Sequence, residues 1–255
     1  PLLARQKPAC VPGTKQGYHA QTMGLYMGEL MRRIDPQQRS IGQYFHDNIA
    51  QPLDLEFYIG LPDSIPASRV AKLKGFSIFQ MLLNMRKMRW SFVTSLLNPK
   101  SLTAAAFMAT TAFSDIENYN QRSLQRIEFP SANGIGSARS IAKAYSEFAT
   151  GGKVLKLQPQ TLVELMIAPP QTGEGTFDEV LRAPVAFSLG FSKPSQTLPF
   201  GTTSSAFGMP GTGGSFGFAD PDKRLGYAYV MNRYGFYPSN DPREKALRDA
   251  VYRCI

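Results

Sequence analysis

The feature that most constrains the fold is a run in which glycines alternate with aromatic residues between Ala206 and Asp220. Five glycines fall between positions 208 and 217, with Phe207, Phe216 and Phe218 among and beside them. Flexible linkers are rich in glycine and serine and lack such aromatic residues. Glycine inside a strand marks a place where something approaches the backbone closely. The run therefore predicts a strand that presents backbone N–H groups to a ligand.

Further strands lie on both sides of this run. Residues 225–231 are rich in β-forming residues, and the intervening 220–224 has the Asp-Pro-Asp chemistry of a turn. We therefore predict an antiparallel hairpin here. Residues 185–191 predict one more strand upstream.

Helical periodicity dominates the rest of the chain. Apolar residues three and four apart predict a helix that opens at Tyr18 and runs to Ile34. Ser40 with Gln43 forms a capping-box signal, and Ser137 caps a further helix. A final helix is predicted from Asp241, with its inward face formed by Ala246, Leu247, Ala250 and Val251.

Composition excludes several classes of protein. Lys and Arg outnumber Asp and Glu by 28 to 19, but no nucleic-acid motif accompanies the net charge of +9, so we expect no nucleic-acid partner. The two cysteines, Cys10 and Cys254, lie at opposite ends and form no disulfide framework, and two histidines provide no metal spacing. We expect neither a metal nor a cofactor. Cysteine scarcity favours an intracellular setting.

Residues 76–90 form a basic, methionine-rich amphipathic stretch with two interpretations. It predicts either a cap helix over a binding cleft or a peripheral membrane contact through Arg86, Lys87, Arg89 and Trp90. The oligomeric state has no signal in the sequence.

The glycine run resembles the last motif of the serine β-lactamase and penicillin-binding-protein family, especially its esterase-like branch and the animal β-lactamase domain-containing homologues. That motif begins Lys-Thr-Gly or His-x-Gly and continues with a small residue and further glycines. Here Met209-Pro210-Gly211 is followed by Thr212, Gly213 and Gly214. The glycines match, whereas Met209 stands where the family has a cation.

A second resemblance lies near the start of the chain. The family's Tyr-x-Asn motif, relaxed in the esterase-like branch, is similar to Tyr18-His19-Ala20 after the Pro12-Gly13 loop. A phenol beside a cationic lysine can lose its proton and accept one from a serine nucleophile. The resemblance therefore implies that Tyr18 is catalytic.

The resemblance also implies an α+β fold of the β-lactamase/transpeptidase type. Residues 1–175 would supply the mainly helical region, and 176–255 about three strands of a five-stranded antiparallel sheet plus the C-terminal helix. The first strands and the Ser-x-x-Lys nucleophile helix are expected upstream. Ser140-Ile-Ala-Lys143 is not that motif, because it follows the tyrosine whereas the family's motif precedes it.

The implied function is acyl transfer from a small ester or amide. Tyr18 would shuttle protons, and the backbone N–H of Thr212 would stabilise the oxyanion. The substrate would contact His19, Ala20, Met209, Gly211, Gly213 and Gly214. The alternative is a catalytically inactive scaffold or interaction protein that kept the fold.

Overall fold

The computed structural model describes residues 3–84, 88–110, 112, 115–167, 177–237 and 239–255. Its helices are α1 Met23–Ile34, α2 Ile41–Phe45, α3 Ile78–Asn84, α4 Trp90–Leu97, α5 Leu102–Phe107, α6 Arg122–Gln125, α7 Ala138–Ala149, α8 Pro159–Met166 and α9 Pro242–Cys254. Its strands are β1 Phe57–Tyr58, β2 Ile135–Gly136, β3 Phe177–Asp178, β4 Ala183–Pro184, β5 Phe187–Ser188, β6 Phe191–Ser192, β7 Phe207–Pro210, β8 Phe216–Asp220 and β9 Leu225–Tyr229. Helices combined with antiparallel strands confirm the predicted α+β class.

The glycine run forms two strands, so the prediction of one strand is wrong. β7 and β8 pair antiparallel, with Met209 opposite Gly217, and a tight turn at 211–215 joins them. Gly213 and Gly214 adopt φ of +84° and +109°, which ends the extended conformation. Thr212 therefore lies in a turn at the end of the sheet.

The predicted strand at 185–191 is also two strands. β5 and β6 pair through a turn at Leu189 and Gly190, whose φ values are +45° and +87°. Positive φ at both central residues is the geometry of a tight hairpin. Among the described residues the main sheet thus has five strands in the order β5-β6-β7-β8-β9, instead of the three predicted.

Helix α7 lies across β8 and β9. A Cβ atom built on Gly217 would lie 2.5 Å from the Tyr145 ring, and one on Gly226 would lie 2.2 Å from the Ser146 nitrogen. The two glycines therefore let the helix backbone approach the sheet. Phe216 and Phe218 alternate with Gly217 and belong to a core that packs against Val251 and Tyr252 of α9 on the opposite face.

The helix caps are largely as predicted. Ser40 and Gln43 form the capping box of α2, and Ser137 and Asp241 cap α7 and α9. α1 begins at Met23, so the prediction of a helix opening at Tyr18 is wrong.

The predicted inward face of α9 is wrong at two residues. Ala246 and Leu247 are exposed, Leu247 by 49%, whereas Glu244 and Arg248 are buried. Arg248 Nε donates to Glu244 Oε1 at 2.8 Å, and its Nη1 donates to the Pro199 carbonyl at 2.7 Å. The paired charges satisfy one another, which allows polar residues on the covered side of the helix.

Lys193 is a second buried charge and is 2% exposed. Its Nζ donates to the carbonyls of Leu165, Met166 and Ser205 at 2.9, 3.0 and 3.2 Å. Two of these carbonyls belong to the last turn of α8, where the helix supplies no partner. Burial lowers the pKa of Lys193 to about 8. The side chain fastens the end of α8 to the sheet.

Replacing Lys193 by Met should therefore reduce the free energy of unfolding by about 3 kcal/mol, because buried carbonyls would lose their donor. Urea unfolding at pH 7 measures this, with the exposed Lys153→Met as the control. The unfolded state binds more protons than the folded state between pH 8 and 10.5, so the stability of wild type relative to K193M should rise over that interval. Equal stability of K193M and K153M would contradict the assignment.

Candidate active site

One cleft of about 2400 Å³ brings together most of the predicted site residues. Its lining includes Tyr18, Ala20, Met209, Gly211, Thr212 and Gly213. Small-molecule pockets are usually about 300–1,000 Å³. The volume of this cleft exceeds that range, so the described residues form the walls of an open cleft. Tyr18 and the glycine turn are part of its lining.

Tyr18 lies in an aromatic environment. Its half-buried ring stacks on Phe187 at 6.2 Å between centroids and lies 6.4 Å from Phe107. Burial raises the pKa of the phenol above its ordinary value of 10, and the Asp178 carboxylate raises it further. The charge that the described residues place near Tyr18 is thus negative, where a cation was expected. The phenol is protonated at neutral pH.

Asp178 is fully buried, and sequence reasoning missed it. Its Oδ1 accepts hydrogen bonds from the backbone N–H groups of Val180 and Leu181 at 2.9 and 2.7 Å. Its Oδ2 has no hydrogen-bond partner among the described residues. The backbone around Asp178 pairs with Gln16, which brings the carboxylate near Tyr18. No local sequence signal could reveal this long-range contact.

The hydrogen bonds of the glycine turn leave the Thr212 N–H unused. The Gly211 carbonyl accepts from the Gly214 N–H at 3.3 Å, and the Gly211 N–H donates to Ser215 O at 2.7 Å. In a trans peptide the N–H of Thr212 points opposite to the carbonyl of Gly211. The first N–H of a helical turn also lacks an acceptor within that turn. The Thr212 N–H is therefore free of the turn's own hydrogen bonds at the border of the cleft.

Met209 gives this end of β7 an uncharged side chain. Its sulfur accepts a hydrogen bond from Ser192 Oγ at 3.6 Å, and the residue lines the cleft. A thioether is a weak acceptor and cannot hold a carboxylate as an ammonium group can. The cleft therefore has no cation at this position.

Two of the predicted substrate-binding residues lie elsewhere. His19 is exposed, with Nε2 at 2.8 Å from Thr22 Oγ1 and its ring 5.5 Å from that of Tyr26. A Cβ atom on Gly214 would lie 2.5 Å from Asp241 Oδ2, so this glycine makes room for a protein side chain. Neither residue is in the cleft lining among the described residues.

Gly213 both lines the cleft and makes room for a protein side chain. It lines the cleft, but its Cα faces Tyr234, whose ring carbon would lie 2.5 Å from an added Cβ atom. The glycines of the turn are thus required by packing within the protein. Their role as an opening for a ligand stays a prediction.

Ser140 and Lys143 have separate partners. Ser140 is buried and its Oγ accepts from the Glu56 N–H at 2.8 Å, while Lys143 Nζ lies 3.8 Å from Asp54 Oδ2. The serine holds the start of β1 against α7. This placement agrees with the exclusion of this Ser-x-x-Lys sequence as a nucleophile.

The stretch 76–90 borders the cleft through Met88 and Arg89. Trp90 is 68% exposed, whereas Arg86 and Lys87 lie outside the described residues. No helix that the described residues form is both long enough and apolar enough to cross a bilayer. Peripheral membrane contact stays a prediction.

Comparison with known proteins gives consistent matches. A family model described as Beta-lactamase matches residues 2–252. Esterase/beta-lactamase LipL of Mycobacterium tuberculosis (strain ATCC 25618 / H37Rv) is 28% identical over 245 residues, which cover 91% of this chain and 52% of LipL.

Two solved structures share the fold. A family VIII carboxylesterase has 33% identity and a TM-score of 0.76, over 99% of this chain and 62% of its own. A penicillin-binding protein homolog from Caulobacter crescentus has 30% identity and a TM-score of 0.76, with the same coverage of 99% and 62%. The chain thus spans about half the length of the curated relative and three fifths of the solved structures.

The contact between Asp178 and Tyr18 makes a testable prediction. Asp178→Asn retains an oxygen acceptor for Val180 and Leu181 but removes the charge, so the pKa of Tyr18 should fall. It should stay above its ordinary value, because burial is the larger cause. Titration of the tyrosine ¹³Cζ signal by NMR, assigned with Tyr18→Phe, measures the shift. An unchanged or higher pKa in D178N would show that the carboxylate does not act on the phenol.

Proposed function

Because the chain belongs to the beta-lactamase family, we propose that the full-length protein is a serine hydrolase that transfers the acyl group of a small, uncharged ester or amide. The observation that carries the proposal is that Tyr18 and the Thr212 N–H border the same cleft. The nucleophilic serine and its lysine are proposed to lie outside these 255 residues. The chain's coverage of only 52% of LipL and 62% of the carboxylesterase supports that placement.

The proposed reaction uses the serine, the Thr212 N–H and Tyr18 in turn. The serine oxygen bonds to the substrate carbonyl carbon, its proton passes to the proposed lysine in its neutral form, and the carbonyl oxygen becomes an oxyanion. The Thr212 N–H donates to that oxyanion. Collapse of the intermediate breaks the bond to the leaving group. Tyr18, protonated at neutral pH, gives its proton to that group and regains one from the lysine. Water then hydrolyses the acyl-serine ester.

The substrate class follows from the surface around these groups. Aromatic side chains line the cleft near Tyr18, including Phe107 and Phe187. Met209 provides no ammonium group for an anionic substituent. These features favour a neutral, apolar acyl group over the carboxylate-bearing substrates that a lysine at this position would hold.

The oxyanion role of Thr212 can be tested by removing one backbone donor. Gly211 is extended, with φ −107° and ψ 158°, which is compatible with a following proline. Proline also fits the first position of a helical turn. Thr212→Pro in the full-length protein should lower kcat for a p-nitrophenyl ester by about 10²–10³-fold.

Thr212→Ala keeps the N–H and serves as the matched control, with kcat near wild type. Wild type and T212A should also react with a fluorophosphonate probe, which labels activated serines. Absence of both labelling and ester hydrolysis in wild type would overturn the hydrolase proposal and favour the inactive scaffold. A T212P protein as active as T212A would remove Thr212 from the mechanism.

A cation at position 209 should change substrate preference. A hydrogen bond to a charged group is worth about 1.5–3 kcal/mol. Met209→Lys should therefore raise kcat/KM for a carboxylate-bearing aryl ester relative to its neutral analogue by about tenfold or more. Met209→Leu is the control and should retain the wild-type ratio. An equal ratio in all three proteins would place Met209 away from the acyl group.

A further inference from the structure

The Arg243 side chain contacts the glycine turn directly. Its Nη2 donates to the carbonyl oxygen of Gly213 at 3.0 Å, and the Gly235 N–H donates to the same oxygen at 2.8 Å. Two donors on one carbonyl fix the direction of the peptide that follows Gly213. That peptide lies two peptide units beyond the one that carries the Thr212 N–H.

Asp241 holds the guanidinium in place. Arg243 Nε and Nη2 donate to its two carboxylate oxygens at 2.9 and 2.7 Å, a bidentate arrangement, and the Asp241 side chain is 2% exposed. Arg243 Nη1 also donates to the Arg233 carbonyl at 2.8 Å. Both ends of the guanidinium are therefore fixed, which an isolated surface arginine would not achieve.

The turn and the ion pair are closely packed. A Cβ atom on Gly214 would lie 2.5 Å from Asp241 Oδ2, and one on Gly235 would lie 2.2 Å from the same atom. Movement of the carboxylate toward either glycine would therefore displace a backbone segment. The pair sets the position of the turn by contact as well as by hydrogen bonding.

We propose that the Arg243–Asp241 pair positions the glycine turn so that the Thr212 N–H faces the reacting carbonyl group. This rests on the proposed hydrolase function. Arg243 is a positioning residue, because it acts through the peptide of Gly213. Oxyanion donors act at 2.7–3.1 Å, and a misplacement of about 1 Å can cost about 10²-fold in rate.

Kinetics of the full-length protein test this role. Arg243→Ala should lower kcat for p-nitrophenyl butyrate at least tenfold while KM changes less than twofold. Methylguanidinium at tens of millimolar should restore part of kcat in R243A by occupying the vacated site. Arg243→Lys should stay impaired, because an ammonium group cannot make the bidentate contact. The control is Lys245→Ala, which removes an exposed cation of the same helix and should match wild type.

Amide hydrogen exchange of residues 211–215 separates this proposal from the proposed function. R243A should exchange faster at these amides than wild type and K245A, and methylguanidinium should slow it again. The positioning role is overturned if wild type is active and R243A has the same kcat. It is also overturned if amide exchange in R243A equals that in wild type, whatever the activity. If wild type is inactive and R243A still exchanges faster than wild type, the positioning of the turn by Arg243 is supported and the hydrolase proposal is overturned instead.

Discussion

The close approach of α7 to the main sheet is the contact on which the rest of the structure depends. Gly217 and Gly226 remove the side chains that would keep the helix away, so Tyr145 and Ser146 lie directly on β8 and β9. The aromatic residues next to these glycines in the strands then point to the other face and build a second core with α9. Burial of such aromatic side chains stabilises the sheet on both sides. The β7–β8 hairpin on this sheet fixes where the glycine turn lies.

The two halves of the site are held by different physical means. The turn is fixed by hydrogen bonds and by the contact of Asp241 with Gly214 and Gly235. Tyr18 is positioned by ring stacking on Phe187 and by its nearness to a buried carboxylate. Backbone geometry thus fixes the turn, whereas burial and charge set the environment of Tyr18. Both halves border the same cleft.

Much of this arrangement could be predicted from the sequence. The caps at Ser40 and Ser137 and the helix start at Asp241 depend on local hydrogen bonds, so local residues were enough to find them. The matched motifs around Tyr18 and Thr212 led to the family and to two residues of one cleft. Strand boundaries were less accessible, because positive φ at Leu189 and at Gly213 depends on tertiary packing as well as on residue type.

Other features could not be predicted at all. Asp178 acts on a tyrosine 160 positions away, and Arg243 acts on a turn 30 positions away. No periodicity or capping signal records such contacts. The contact of Gly214 with Asp241 could not be predicted for the same reason, since this side chain comes from the start of α9.

The burial of Asp178 has a consequence for the response of the protein to ionic strength. Dissolved ions weaken interactions between exposed charges over a Debye length of about 8 Å at physiological ionic strength, but act little on groups removed from water. The net charge of +9 can therefore be masked by added electrolyte, while the field of Asp178 at the Tyr18 phenol persists. Encounter with charged molecules and the effect of Asp178 on the pKa of Tyr18 thus respond separately to ionic strength.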